Sequence, residues 1–500
     1  MSNTVVLDGT TLEGGGQILR IAVCLSAITN IPLNITQIRG NRPRGGGLKY
    51  QHLTGVNWLA KASEANIEGA EIKSTGLRLS WDRDTDDEPL DDHRFLSLPK
   101  MIDIGSPGSI ALVLQAILPF IIFGPHSERF SGSTSQDASD GSSPLPAPIH
   151  ITIKGGTNVG FSPSFEYINK VLLPTFSRIG LPPITARLES RGWSTGGPQI
   201  GTVIFEITPL PTKSCLPAFE LTDRGTIQHI EATILGPKVI QDKFRHEVAI
   251  RLAANFPGVA TTITFEDSGH HSRLYLLLVA KSENGHLLGR DWLYDRKTRG
   301  GELNGPVEQL VKEVVQQLQM ELNHGGCVDE YLRDQLVIFS ALARGKCHID
   351  AGRNEEGQLV EGSLHTRTAQ WVVSQMLPVA LKEDGSIVEG IALEAGSRAK
   401  TSSLVVWSKN LRSFINSSWY FLVSSNSVSL DLSDSLEIVY TSSSGNLSSI
   451  LCKIPITGYY PACWGGTNVV DTMRSSSPSQ SLYMYHIPSL SDCSYLGSAT

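Results

Sequence analysis

No CxxC pair occurs anywhere in this chain, and no uninterrupted apolar run approaches the length needed to cross a bilayer. The longest apolar stretch, Ile110 to Phe123, is interrupted by Gln115 and Pro119 and reads as a buried helix. The seven cysteines (Cys24, Cys215, Cys327, Cys347, Cys452, Cys463 and Cys493) are scattered and odd in number. That pattern fits reduced thiols better than a disulfide framework or a zinc site. The first residues, Met1 to Val6, contain no basic segment followed by an apolar one. A secretory leader is therefore not expected, and the reading is a soluble, non-membrane protein of the nucleus or cytoplasm. Positive charge is also in short supply. The net charge is -7, which argues against a general nucleic-acid coat but leaves room for a local basic cleft.

With 40% hydrophobic residues and a length of 500, the chain is long enough for two or more folded units. Strand and helix signals alternate from the start. Val5 to Leu7 reads as a strand, Gln17 to Thr29 as an amphipathic helix, Pro32 to Ile38 as a strand, Gln51 to Ala65 as a helix and Ile67 to Trp81 as two strands. Ile110 to Phe123, Ile149 to Lys154 and Phe165 to Ile179 continue as helix, strand and helix. This βαβα rhythm with paired strands predicts an α/β protein of repeated units. Residues 202–293 read as a second unit, with a helix from about Pro306 to Asn323 returning to the first region. Asp82 to Asp92 and Ser127 to Pro148 read as solvated surface insertions. In residues 401–500 about a quarter of positions are Ser, far above the ordinary share. That segment reads as unstructured, or as foreign to the folded protein.

Five segments carry candidate chemistry. Glu13-Gly14-Gly15-Gly16-Gln17-Ile18-Leu19-Arg20 opens a helix with three glycines. Backbone N–H groups there suit an anion, with Glu13 able to hold a divalent cation; the bland reading is a tight turn. Arg39, Arg42 and Arg44 sit in a Gly/Pro-rich loop followed by Gln51 and His52. Arginine forks suit phosphate oxygens, although a solvated loop would look the same. Gly105 to Ser109 precedes the apolar helix that bears Gln115, another possible anion or nucleotide contact. The buried amide of Gln115 needs a partner, either a ligand or a neighbouring group. Tyr331, Asp334 and Gln335 share one helical face and would line a base-and-ribose pocket or form an exposed first turn. Finally, His365 precedes an apolar helix, open to service as nucleophile or base. With no HxH or HExxH spacing near it, zinc is not expected.

Taken in this order, the segments resemble the RNA 3′-terminal phosphate cyclase family. The matching blocks are Glu13 to Arg20, Gln51 to Leu53, Gly155 to Asn158, His324 to Gln335 and Leu364 to Thr366, spread over roughly residues 4 to 395. The resemblance implies an α/β fold whose large domain (1–201 and 294–400) repeats a βαβαββ unit, with a smaller α/β domain inserted at 202–293. It implies that a histidine takes AMP from ATP, releasing pyrophosphate. AMP then passes to an RNA 3′-phosphate, and the 2′-hydroxyl closes a 2′,3′-cyclic phosphate. Carried over, His365 matches the nucleophile and Glu13 the residue near a divalent metal, Mg or Mn. Gln115, Pro163, Tyr331, Asp334 and Gln335 match nucleotide contacts; Arg20, Arg39, Arg42, Gln51 and His52 match the phosphate-binding region. Two departures stand out. The arginine loop is one residue longer than usual, leaving Arg42 and Arg44 as alternatives, and Arg191-Gly192 is not followed by the usual Tyr-Pro. The rival reading is a cyclase-like ribosome-biogenesis factor without catalysis, a branch that lacks the histidine.

Overall fold

The computed structural model of the chain describes residues 4–42, 45–81, 99–125, 146–296, 302–382 and 385–396, together with the backbone of short strands between 419 and 487. The first sheet is built from Val5–Asp8 (β1), Gly16–Thr29 (α1), Leu33–Thr36 (β2), Tyr50–Ser63 (α2), Asn66–Glu68 (β3) and Leu77–Ser80 (β4). Its strand order is β1-β2-β4-β3, with β1 and β2 parallel and the other pairs antiparallel. A second stretch follows the same course: Met101–Asp103 (β5), Ile110–Phe123 (α3), Ile149–Gly155 (β6), Phe165–Tyr167 (α4), Leu173–Arg178 (α5), Ile184–Ser190 (β7) and Gly201–Ile207 (β8). Its order is β5-β6-β8-β7, again with one parallel pair followed by two antiparallel ones.

Glu220–Leu221 (β9) begins a third sheet, which the chain leaves at once. Ile227–Gly236 (β10), Gln241–Asn255 (α6), Ala260–Asp267 (β11), Tyr275–Ser282 (β12) and Leu287–Leu293 (β13), followed by Asn304–Asn323 (α7), form a sheet of order β11-β10-β12-β13 with two helices on it. The chain then resumes with Glu330–Leu342 (α8), Arg344–Ile349 (β14), Leu364–Met376 (α9), Ala380–Leu381 (β15) and Ile387–Ile391 (β16). β14 pairs parallel with β9 and antiparallel with β16, which pairs with β15.

Periodicity explains how the pieces pack. Every residue of α1 is buried, and the helix touches α2, α3 and α9. That burial requires an almost uncharged helix; Arg20 is its single charged residue. α3 continues through Pro119 although proline removes a backbone donor. In the β10–β13 sheet the two faces serve different cores. Leu276, Leu278 and Ala280 of β12 pack with Phe244, Val248, Val311 and Val314. The alternate residues Tyr275, Leu277 and Val279 join the larger cluster that includes α1 and α3. β12 is buried on both faces and hence apolar throughout its first six residues.

The mixed α/β architecture expected from the sequence is what the chain adopts. Within the stretch read as a second unit, 202–293, the strands are shared among three sheets. β8 is hydrogen-bonded between β6 and β7, and its Val203, Phe205 and Ile207 lie in the larger core. α7, expected to return to the first region, instead packs on β12 and β13 and supplies Val307 to Leu318 to the smaller core. An alternating apolar pattern marks a strand without saying which sheet receives it. The acidic loop 82–92 and residues 127–145 of the Ser-rich stretch lie outside the described residues.

Contacts divide the chain into Met1–Val406 and Trp407–Thr500. In the latter, Trp419–Ser424 pairs with Leu482–Ile487, and Ser435–Ile438 pairs with Leu430–Asp431 and Ile454–Pro455. Apart from these strands, the segment read as unstructured lies outside the described residues. Among the described residues no helix is long and apolar enough to cross a membrane.

Because Leu277 is fully buried where the sheet meets the larger core, Leu277→Ala should lower the unfolding free energy by about 2–5 kcal/mol. Urea denaturation checks this, and a loss below about 1 kcal/mol would contradict two-sided burial of β12.

Candidate active site

Glycine makes room at the start of α1. Gly14 has φ +56, and a Cβ there would meet the Asn41 side chain. A Cβ on Gly15 would run into the Glu13 carboxylate and Arg42, and one on Gly16 would lie 2.6 Å from His52 Nε2 and 2.7 Å from an Arg20 nitrogen. The space a side chain would fill is thus occupied by one carboxylate, two guanidinium groups and one imidazole. Gly15 sits at the N-cap of α1, which has no side-chain cap. α3, α8 and α9, by contrast, are capped by Ser109, Asp329 and Ser363. The first N–H groups of α1 therefore remain for an anion.

A hydrogen-bonded chain runs inward from this point. Arg20 Nε donates to Gln115 Oε1 at 2.7 Å, and its Nη2 donates to Gln17 Oε1 at 2.6 Å. Gln17 Nε2 donates to Asp334 Oδ2 at 3.3 Å, and Gln335 Nε2 donates to Asp334 Oδ1 at 2.7 Å. The partner that Gln115 requires is therefore Arg20. Burial lowers the Arg20 pKa to about 10, opposed by the charge of Asp334. Burial raises the Asp334 carboxyl to about 7, against the pull of Gln335 and Arg20. Gln115, Pro163, Asp334 and Gln335 line one open cleft, with apolar walls from Ile21, Leu118 and Phe339. Polar groups at one end of an apolar cleft suit a flat heterocycle with hydrogen-bonding edges.

His365 lies in the first turn of α9, exposed, one residue past Leu364. Three residues on, Thr368 Oγ1 accepts from the Glu13 N–H at 3.1 Å and donates to Leu364 O at 2.6 Å. The histidine turn is thereby pinned to the glycine loop. Desolvation lowers the His365 pKa, and the charges of Arg20 and Arg42 lower it further, against a smaller opposing effect of Glu330. His52, buried in α2, is held well below the ordinary histidine value by burial and by Arg20, Arg39, Lys49 and Arg42. Both imidazoles are neutral at neutral pH, in a field dominated by cations.

The other expected residues divide. Arg42 ion-pairs with the buried carboxylate of Glu13. Arg39, with φ +57, is buried and donates to Gly47 O at 3.0 Å. Arg44 lies outside the described residues. Gln51 is committed elsewhere: its Oε1 accepts from the Ser109 N–H at 2.9 Å. Around the Gly105 to Ser109 segment the Gly105 N–H donates to Asp103 Oδ1 at 2.8 Å and the Ile110 N–H to Gly156 O at 3.0 Å. Tyr331 is about one-third exposed and meets the edge of Tyr167 at 6.0 Å. It shares the α8 start with the cleft residues without lining the cleft itself. Among the described residues no group of three or more His, Cys, Asp and Glu side chains is placed to hold a metal ion.

The Arg191 block is a brace. Arg191 Nη1 donates to Glu166 Oε1 at 2.6 Å and its Nη2 to Glu266 Oε2 at 2.6 Å, while Asn158 Nδ2 donates to Glu166 Oε2 at 2.8 Å. It thus ties α4, which follows Pro163, to β11. Sequence reasoning missed the roles of Gln17 and Thr368. Each lies three positions from an expected residue, Arg20 and His365, which is the spacing of one helical face.

The raised Asp334 pKa has a defined sign. Between pH 4 and 7 the folded protein keeps a proton that the unfolded chain has lost, so this group's stabilising contribution falls as pH rises. Asp334→Asn should therefore melt progressively higher relative to the parent as pH goes from 4 to 8. A constant difference in melting temperature across that range would contradict the shift.

Comparison with known proteins places these residues in context. The family model described as RNA 3′-terminal phosphate cyclase matches residues 11–382. An RNA 3′-terminal phosphate cyclase of Ralstonia nicotianae is 30% identical over 390 residues, covering 77% of this chain and 96% of that protein. One from Pyrobaculum aerophilum is 30% identical over 383 residues, 75% of this chain and 93% of its own. A protein of Dictyostelium discoideum named probable RNA 3′-terminal phosphate cyclase is 28% identical over 380 residues, 74% of this chain and 76% of its own. With its glycine loop, buried Arg20–Asp334 chain and His365 turn all inside the matched region, the chain belongs to the RNA 3′-terminal phosphate cyclase family.

Proposed function

We propose that this chain converts an RNA 3′-terminal phosphate into a 2′,3′-cyclic phosphodiester, driven by ATP, with His365 carrying AMP between the two substrates. The observation that supports this most is the pinning of the His365 turn to the uncapped glycine start of α1, among Arg20, Arg42 and His52. A neutral His365 nitrogen attacks the α-phosphorus of ATP, and the bond to the β-phosphate breaks with release of pyrophosphate. An oxygen of the RNA 3′-phosphate then displaces the histidine, giving an RNA–AMP anhydride. The 2′-hydroxyl attacks the activated phosphorus, loses its proton and expels AMP. Splitting the activation into two displacements lowers each barrier.

Each residue has a task in this scheme. Asp334, Gln335, Gln115 and Pro163 receive the base and ribose in the cleft, with Tyr331 beside them. Arg20, Arg42 and the α1 N–H groups offset the charge of the phosphates, with Arg39 and His52 shaping the field behind them. Gln51 acts indirectly, through the Ser109 backbone. Glu13, a buried carboxylate that is ion-paired with Arg42, would hold a divalent cation, Mg²⁺ or Mn²⁺, through its remaining oxygen. Such cations often take one or two protein carboxylates, with phosphates and water completing the shell. When bound, the cation would neutralise triphosphate charge.

The repeated-unit reading of the fold belongs to this proposal. Three sheets with one order and one sequence of pairings support three copies of a βαβαββ unit. The β10–β13 sheet with α6 and α7, entering between β9 and α8, would be the insert. The rival, a non-catalytic ribosome-biogenesis relative, is disfavoured by a neutral, cation-flanked His365.

Incubation with ATP, Mg²⁺ and an RNA bearing a 3′-phosphate should yield a phosphatase-resistant cyclic end, and His365→Ala should abolish it. A folded parent protein that leaves the end unchanged would sink the proposal. Because burial, together with Arg20 and Arg42, depresses the His365 pKa, activity should persist below the ordinary histidine range, and Arg42→Ala should move the acid limb of the pH profile upward. An unmoved limb would contradict the electrostatic part of the account.

A further inference from the structure

We propose that Arg290, contributed by the β10–β13 sheet, is a positioning residue for Tyr331 and so couples that sheet to nucleotide binding. The inference rests on the reading of Tyr331 as a nucleotide contact. Arg290 lies on β13, and its guanidinium carbon sits 4.7 Å from the centre of the Tyr331 ring. The same guanidinium ion-pairs with Glu321 of α7 and reaches Glu330 at 3.1 Å. Arg290 and Glu321 are both buried, so the cation on the ring is desolvated and anchored from behind. A buried guanidinium over a tyrosine face is attracted to the ring quadrupole more strongly than an exposed one.

The ring is held from a second direction as well. Tyr167 meets Tyr331 edge-on, and the Tyr167 hydroxyl donates to Asp329 Oδ1 at 2.7 Å. Asp329 also accepts from the Gly289 N–H, at 2.7 Å, and caps α8 through Leu332 N, at 2.8 Å. Neighbouring residues of β13, Gly289 and Arg290, thus fix the cap of α8 and the first aromatic residue of that helix. Asp334 and Gln335, one turn further along α8, line the cleft. Any adjustment of the β10–β13 sheet would therefore be felt first at the α8 start, and a rigid Tyr331 presents its remaining surface without an ordering cost on binding.

The test uses the full chain with ATP as probe, reading the KM for ATP and the maximal rate of cyclisation separately. Arg290→Gln should raise KM about two- to tenfold, the ordering cost of one released side chain, with the maximal rate within about twofold. Arg290→Lys should recover part of the loss, and Glu321→Gln, which leaves the arginine in place, should raise KM by less. Arg290→Gln placed on Tyr331→Ala should add nothing, because the partner is already gone. A KM that rises in Tyr331→Ala but not in Arg290→Gln would overturn the role of Arg290. So would additive effects in the double variant. If Tyr331→Ala itself leaves the KM for ATP unchanged, the nucleotide reading of Tyr331 fails, and this inference with it.

Discussion

A guanidinium inside a helix buried on every side is the constraint around which the site is organised. Arg20 cannot reach bulk water from α1, and an unpaired charge there would cost several kcal/mol. Three groups resolve this. Gln17 comes from the same helix and Gln115 from α3, while Asp334 of α8 reaches Arg20 through Gln17. Three helices that lie far apart in the chain are thereby held to one geometry. Their polar ends meet where the apolar cleft opens. The arrangement that satisfies the arginine also creates a cleft with directional polar groups at one end.

The glycine loop carries the other half of the design. Without side chains at Gly14 to Gly16, the backbone approaches Glu13, Asn41, Arg42 and His52 more closely than any Cβ would allow. Positive groups outnumber Glu13 and Glu330 at this point, and they add to the burial that depresses both His52 and His365. A chain with net charge -7 thus keeps a locally positive pocket, suited to a polyanion reaching an uncharged imidazole. Under the proposed reaction, the field that joins burial in keeping His365 neutral also draws the triphosphate in.

Much of the architecture was legible because apolar periodicity is strong where burial is complete. Ile110–Phe123 was read to the residue, and α1 and α2 to within two residues at each end. Strands such as β10, with the polar residues Gln228, His229 and Glu231 in its first half, carried no clean alternation and were not read. Sheet membership was illegible for β8, since pairing partners lie far away in sequence. At the site, residue types did not show which protein groups each side chain bonds. Gln51 Oε1 holds the Ser109 backbone, and Arg191 looked like a broken motif yet braces Glu166 and Glu266. Long-range partners of this kind depend on helix packing, which no local pattern encodes.

The central claim is that AMP resides on His365 between the two chemical steps. Peptide mapping by mass spectrometry after incubation of the intact chain with ATP and Mg²⁺, without RNA, tests it directly. The account predicts one adenylate on the peptide that contains His365, removed when an RNA 3′-phosphate is added. An adenylate on any other residue, or none in a folded protein that binds ATP, would contradict it.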